Sequence, residues 1–267
     1  REVPHAILRI LLHWYTRHSV KASWGNAISD SFSTLNGVKQ GAVLSPILFT
    51  VYFDELFVRL RESDVGCRLG QHYAGVLGYA DDISLVAPNL RALHQMLVVC
   101  TEYATEYSMT FNPKKSLCMK FGSERNEHDR VLLNGQEIDF VKSARHLGNM
   151  INTELSDSDD CSYKLSSFHG YVNKLLGLYG GFRGPVIHKL FLSFCCSFYG
   201  SPLWGFSSVN FKKVCTQWNK AVRRVLRLPN TTHTWLLGPF LNQYHLSVQL
   251  KFRFLKFFLP CLPALMS

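Results

Sequence analysis

The sequence predicts an α+β chain, with short antiparallel strands and packed helices in its first 160 residues and an all-helical remainder. Three observations predict it. Two runs of β-type residues flank a short polar tip at Tyr79-Ala80-Asp81-Asp82, the pattern of a β-hairpin. Apolar residues recur at helical spacing on both sides of that hairpin. Beyond an acidic stretch at residues 154–160, the chain is punctuated only by Gly and Pro breaks and reads as helix after helix.

In chain order, residues 4–19 read as an amphipathic helix, with Ile7, Leu8, Leu11, Leu12 and Tyr15 on one face. A surface hairpin follows over residues 20–32, turning near Gly25-Asn26. Residues 36–46 form a polar loop bracketed by Gly37 and Gly41. It runs into a helix from Pro46 to about Glu62, with Ser45 placed as N-cap and Pro46 at the first helical position. The helix over 90–107 carries Leu93, Met96, Leu97, Cys100 and Tyr103 at helical spacing, and a strand is expected at 117–121. Asn134-Gly135 marks a second tight hairpin over 131–138. The acids of 154–160 read as a solvated linker and helix N-terminus. Breaks in the helical remainder are expected at Gly180-Gly181, Gly184-Pro185, Pro202, Pro229 and Gly238-Pro239.

Charge divides the chain more sharply than composition does. Residues 1–160 carry 16 Lys and Arg against 19 Asp and Glu, whereas residues 161–267 carry 13 Lys and Arg and no carboxylate at all. An acid-free surface of that length suits a partner of dense negative charge, and a nucleic-acid backbone is the natural one. Aromatics such as Trp204, Phe211, Trp218, Trp235 and Tyr244 are interleaved with these cations. Trp218, Ala221, Val225 and Leu228 fit a core stripe, so the rings read as packing. Lys220, Arg223, Arg224 and Arg227 make the best single basic face. The eight cysteines show no paired metal spacing and read as reduced, mostly buried thiols; the eleven histidines show none either. The apolar tail at 252–266 is too short and too broken by Arg253, Lys256 and two prolines to cross a bilayer, so no membrane partner is expected.

The adjacent carboxylates of Asp81 and Asp82 are oxygen donors of the kind hard cations such as Mg²⁺ use. Asp-Asp is equally a common turn dipeptide, so the tetrapeptide alone leaves both readings open. The upstream loop narrows the choice: its glycines let backbone approach a ligand closely, and Lys39 and Gln40 supply a charge and an amide. With Gly37-Val38-Lys39-Gln40-Gly41…Ser45-Pro46, Tyr79-Ala80-Asp81-Asp82, Phe111-Asn112-Pro113-Lys114-Lys115-Ser116 and His146-Leu147-Gly148-Asn149-Met150-Ile151 in order, the chain resembles the reverse transcriptase of non-LTR (LINE-type) retrotransposons. A group II intron or retron polymerase shares the hairpin turn but fits the loop and the helical tail less well.

The resemblance implies a partial polymerase palm (antiparallel sheet with packed helices) over 1–123, a palm-to-thumb hairpin with a primer-grip-like strand over 124–160, and a basic helical thumb or connection over 161–267. It implies RNA-directed DNA synthesis with two Mg²⁺ ions, on RNA template, DNA primer or target and deoxynucleotides, in a nuclear or cytoplasmic ribonucleoprotein rather than a secreted protein. Asp81 would be the principal hairpin ligand and Asp82 the supporting one. Tyr79 would lie near the primer terminus, and Gln40 and Gly41 along the template and nascent base pair. Lys115 would offset charge or donate a proton as pyrophosphate leaves. Such palms also use an aspartate on a strand before the glycine-glutamine loop. Upstream of that loop the only acids are Glu2, at the start, and Asp30, in the surface hairpin, so the chain reads as a fragment inactive in isolation. The alternative is a non-catalytic nucleic-acid-binding remnant or domesticated element product. Asp54 and Glu55 read as helix surface.

Overall fold

The computed structural model describes residues 3–34, 37–39, 41–122, 129–181 and 184–261. Contacts divide it into two compact units, Arg1–Asn112 with Val131–Gln136, and Pro113–Arg130 with Glu137–Ser267.

The first unit opens with α1 (His5–Thr16), which buries none of its residues. Four short strands follow: β1 (Ser19–Val20), β2 (Ser23–Trp24), β3 (Ala27–Ile28) and β4 (Phe32–Ser33). The β2–β3 hairpin nests inside the β1–β4 pair, as the Gly25-Asn26 turn predicts. Helix α2 (Ser45–Glu62) has its N-cap at Leu44, one residue earlier than expected. Ser45 is buried inside the first turn, and its hydroxyl donates to the Lys39 carbonyl at 2.6 Å, tying the loop to the helix instead of capping it. Strands β5 (Arg68–Leu69) and β6 (His72–Tyr73) pair with each other, as do β7 (Val76–Tyr79) and β8 (Asp82–Leu85). Helix α3 (Leu90–Glu106) starts where the Asn89 side chain accepts the Ala92 N–H at 2.9 Å.

What holds this unit is a seam between α2 and α3. Phe53, Leu56 and Leu60 face Met96, Cys100 and Tyr103, the i, i+3/i+4, i+7 spacing of helices packed on one face. Val76, Ile83 and Leu85 lay one face of the β7–β8 hairpin over that seam. Tyr103 is fully buried, and its hydroxyl is satisfied by donating to the Tyr52 carbonyl at 2.5 Å. Burial pushes the Tyr103 phenol up to about 12. Arg59 bridges the helices by pairing with Glu55 at 3.0 Å and Glu106 at 2.7 Å.

Strand β9 (Leu117–Cys118) is shorter than the sequence suggests. Strands β10 (Leu132–Leu133) and β11 (Gln136–Glu137) form the Asn134-Gly135 hairpin, with both turn residues at positive φ as a type I′ turn demands. Strand β12 (Asp139–Phe140) pairs in parallel with β9. The strand expected at 146–151 is instead the tight hairpin of β13 (Ser143–His146) and β14 (Asn149–Asn152). Its turn is Leu147-Gly148, both at positive φ; leucine gives no turn signal, which hid the reversal.

The second unit is mostly helical: α4 (Ser158–Tyr179), α5 (Pro185–Leu190), a π-helical turn Phe191–Cys195, a 3₁₀ turn Ser201–Leu203, α6 (Val209–Leu226), α7 (Thr234–Phe240), α8 (Leu246–Phe258) and a 3₁₀ turn Leu259–Cys261. Leu165, Phe168, Val172 and Leu175 of α4 and Val214, Trp218, Ala221 and Val225 of α6 share one core with Leu237, Leu246 and Leu250. Trp204, Phe211 and Trp218 are therefore packing, as expected, whereas Trp235 and Tyr244, read the same way, are exposed. Gly238-Pro239 does not break the chain; it sits in the last turns of α7, where a short helix tolerates it. The helix N-terminus expected at these acids is present, with Asp157 as N-cap and Asp160 in the first turn of α4, but both are engaged by partners rather than solvated. Asp157 accepts from the Gly205 N–H, the Ser208 hydroxyl and the Asn210 amide at 2.8–3.0 Å. Buried Asp160 accepts the Trp204 indole N–H at 2.7 Å and the Met150 N–H at 2.9 Å.

Candidate functional site

In β7–β8 the cross-strand register is Tyr79↔Asp82, Gly78↔Ile83, Leu77↔Ser84 and Val76↔Leu85. Directly opposed residues share a face, so Val76, Gly78, Ile83 and Leu85 turn to the core while Leu77, Tyr79, Asp82 and Ser84 line the outer face. Gly78 lets the inner face settle: a Cβ there would stand 2.3 Å from the Phe57 ring. The outer face stays open, with Leu77 59 % and Tyr79 68 % exposed. Ala80 adopts φ +53°, a left-handed conformation costing an ordinary residue about 1–2 kcal/mol. That turn sets Asp81 at the tip, next to Asp82 at the first position of β8. Both carboxylates are exposed, and neither meets a hydrogen-bond or ionic partner among the described residues. Two adjacent, unpartnered carboxylates on an anchored hairpin are a donor set that fits a hard divalent cation. No group of three or more His, Cys, Asp or Glu residues suited to a metal occurs among the described residues.

The structure thus brings Tyr79, Asp81 and Asp82 together. Gly41 lies in the loop before α2 at φ +80°, with open space where a Cβ would point. Gln40, Glu2 and His128 lie outside the described residues. Lys115 is exposed in the turn that follows Pro113, in the second unit. Glu55 pairs with Arg59 on the surface of α2, and Asp54 is exposed on the same helix, as expected of both.

On α6 the basic face resolves into two kinds of residue. Lys213, Lys220 and Arg224 are exposed and stand at i, i+7 and i+11 on one helical stripe, about 16 Å long at 1.5 Å per residue; Arg227, also exposed, is the C-cap, in a left-handed conformation just past the helix. Arg224 also donates to the Asn173 side chain at 3.2 Å and Arg227 to the Gly180 carbonyl. Arg223 is half-buried and spends Nε and Nη2 on the Thr232 carbonyl at 3.1 and 2.7 Å, so it staples the loop after the helix. Lys213 was the missed member of the stripe, and its heptad spacing from Lys220 was the signal that could have found it.

Seven described cysteines are free thiols, four of them buried; burial pushes Cys100, Cys161 and Cys196 up to about 12, which keeps them protonated and inert. No described helix is long and apolar enough to cross a membrane.

Residues 3–151 match the family described as reverse transcriptase (RNA-dependent DNA polymerase). Similar curated proteins are retrovirus-related Pol polyproteins of retrotransposable elements. That of element R1 of Nasonia vitripennis is 24 % identical over 159 residues, which cover 55 % of this chain and 42 % of that protein. That of R2DM of Drosophila melanogaster is 32 % identical over 104 residues, 39 % of this chain and 10 % of that protein. That of R2 of Popillia japonica is 32 % identical over 97 residues, 34 % of this chain and 15 % of that protein. The chain therefore spans less than half the length of these relatives.

Proposed function

The chain belongs to the reverse transcriptase (RNA-dependent DNA polymerase) family, and from that premise we propose that it is the part of a LINE-type element's polymerase that carries the hairpin carboxylates and the helices that grip nucleic acid. The observation that carries this reading is the pair Asp81 and Asp82, exposed and without a side-chain partner among the described residues, on a hairpin whose other face is anchored by Gly78 on Phe57. Residues 1–123 supply the palm part, 124–160 the hairpin linking palm to thumb, and 161–267 the thumb. The substrates are RNA template, DNA primer or target and deoxynucleotides.

Asp81 and Asp82 would hold Mg²⁺, and two such ions, when bound, supply activation of the primer 3′-hydroxyl and stabilisation of the leaving pyrophosphate. The chain's own residues do the rest. Tyr79, on the same face as Asp82, offers a ring for the primer terminus to rest on. Gln40 and Gly41 lie along the template and nascent pair, with the open space at Gly41 letting a base or sugar approach the backbone. Lys115 offsets the charge that develops on pyrophosphate or gives it a proton. The stripe of Lys213, Lys220 and Arg224, with Arg227 at the C-cap, holds phosphates, which fix register without reading sequence.

Two carboxylates are a partial ligand set for a two-ion site, and among the described residues no third joins them. By itself the chain is expected to bind a primer–template and leave it unextended. The test is fluorescence anisotropy with an RNA–DNA primer–template, followed by incubation with deoxynucleotides and Mg²⁺. Binding that falls steeply with salt, without extension, is the expected result. Absence of binding at low salt would contradict the functional reading. Extension lost in Asp81→Asn would overturn the incomplete ligand set while upholding the carboxylates' role.

A further inference from the structure

Lys164 is an unusual cation in a half of the chain that has no acids of its own. Its side chain is only 11 % exposed, so it cannot serve as a free phosphate contact. It donates to the Gly148 carbonyl at 2.5 Å, at the tip of the β13–β14 hairpin. Its ammonium lies 5.8 Å from the Tyr163 ring centroid and 5.4 Å from that of Tyr199, within reach of a cation–π attraction. One turn earlier on α4, Asp160 stands 3.9 Å from the ammonium and accepts the Met150 N–H, on the other side of the same tip. The tip is thus gripped twice, by a donor to one carbonyl and an acceptor from one amide. Beyond it, Asn149 packs so tightly on Gly200 that a Cβ there would collide with the amide oxygen. On the opposed strand, Arg145 is exposed with its guanidinium 5.3 Å from the Tyr163 ring.

An ammonium largely withdrawn from water is costly unless compensated. Here its hydrogen bond fixes a turn, Leu147-Gly148, that is strained at leucine and contributes no core. We propose that Lys164, with Asp160, is a positioning residue: it clamps the β13–β14 tip so that the exposed Arg145 meets the backbone of the primer strand in one orientation. This rests on the reading of the chain as a primer–template-holding part of a polymerase.

The test uses the whole chain and a primer–template carrying a photoreactive thymidine near the primer end, with crosslinked peptides mapped and affinity measured in parallel. In the unsubstituted chain crosslinks fall on residues 143–152. Lys164→Met, which keeps the stem and removes the clamp, weakens affinity by about tenfold, less than the loss of a directly contacting hot-spot residue, and scatters the crosslinks. Lys164→Arg, which can still reach the tip carbonyl, restores their position. Tyr199→Ala, at an exposed site that does not threaten folding, produces the same scatter if Lys164→Met fails to fold. Affinity and crosslinks unchanged in the folded Lys164→Met chain, or in Tyr199→Ala, would overturn the clamp alone. No binding by the unsubstituted chain would overturn the polymerase reading and the clamp with it.

Discussion

Removing the exposed cations of α6 one at a time should lower the salt dependence of nucleic-acid binding in equal steps. Lys213, Lys220 and Arg224 on one stripe of α6 and Arg227 at its C-cap are all exposed, whereas Arg223 is half-buried and spends two donors on the Thr232 carbonyl. Each phosphate neutralised contributes about −0.9 to the slope of log K against log salt on duplex. Four contacts give a slope of about −3.6, so raising salt from ~50 to ~200 mM weakens binding by about 150-fold. Alanine at any one of the four should therefore make the slope shallower by about 0.9, and the quadruple variant should lose nearly all of the contribution. Arg223→Ala should behave differently, costing about 1–2 kcal/mol of stability through its lost hydrogen bonds and leaving the slope unchanged. Anisotropy titrations at four salt concentrations, with urea unfolding as the control, read both quantities. A quadruple variant that keeps the unsubstituted slope would refute the stripe as the phosphate-binding surface.

Two further outcomes follow from the same geometry. Gly78→Ala pushes a methyl group against Phe57 and should cost about 1–3 kcal/mol as overpacking, read by urea unfolding of the first unit; a neutral result would mean that the hairpin is not seated as described. Acidification should weaken the second unit in two stages. His245 accepts the Ser247 N–H on Nδ1 and donates from Nε2 to Asn219, and burial holds its pKa below 6.5. Its contribution is full above 6.5 and is lost as pH falls through the depressed folded value, so His245→Gln should remove that stage. For Asp157, burial works upward, but the hydrogen bonds from Asn210, Ser208 and Gly205 outweigh it and hold the carboxyl below 3.8. That second contribution persists down to 3.8 and disappears below it, and a thermal melt series across pH resolves the two.

The sequence was most informative where local patterns and tertiary packing agree. The β7–β8 hairpin, α2, α3 and the Asn134-Gly135 turn all stand where periodicity and turn chemistry put them. It was least informative where a side chain finds a distant partner. Nothing local says that Asp157 and Asp160 bind the Gly205 N–H and the Trp204 indole, more than 40 residues away. The Leu147-Gly148 reversal was hidden because leucine is an improbable turn residue, held there by Lys164 from another element. The basic face was legible as a cluster, but only burial separates Arg223, which is structural, from Lys213, which is free to bind. At the candidate site, the hairpin pattern put Asp81 and Asp82 at a tip, but the tetrapeptide alone left a plain turn equally open until the upstream loop and the resemblance were added. The openness of the two carboxylates, and the anchoring of the opposite hairpin face on Phe57, needed the fold.

The most direct measurement is Mn²⁺ binding by electron paramagnetic resonance, in the presence of a primer–template and deoxynucleotide, for the unsubstituted chain and for Asp81→Asn/Asp82→Asn. Bound Mn²⁺ that the double substitution abolishes, with primer–template affinity persisting through α6, is the expected result. Mn²⁺ occupancy unchanged in the double variant would contradict the assignment of the hairpin carboxylates as the metal-holding site.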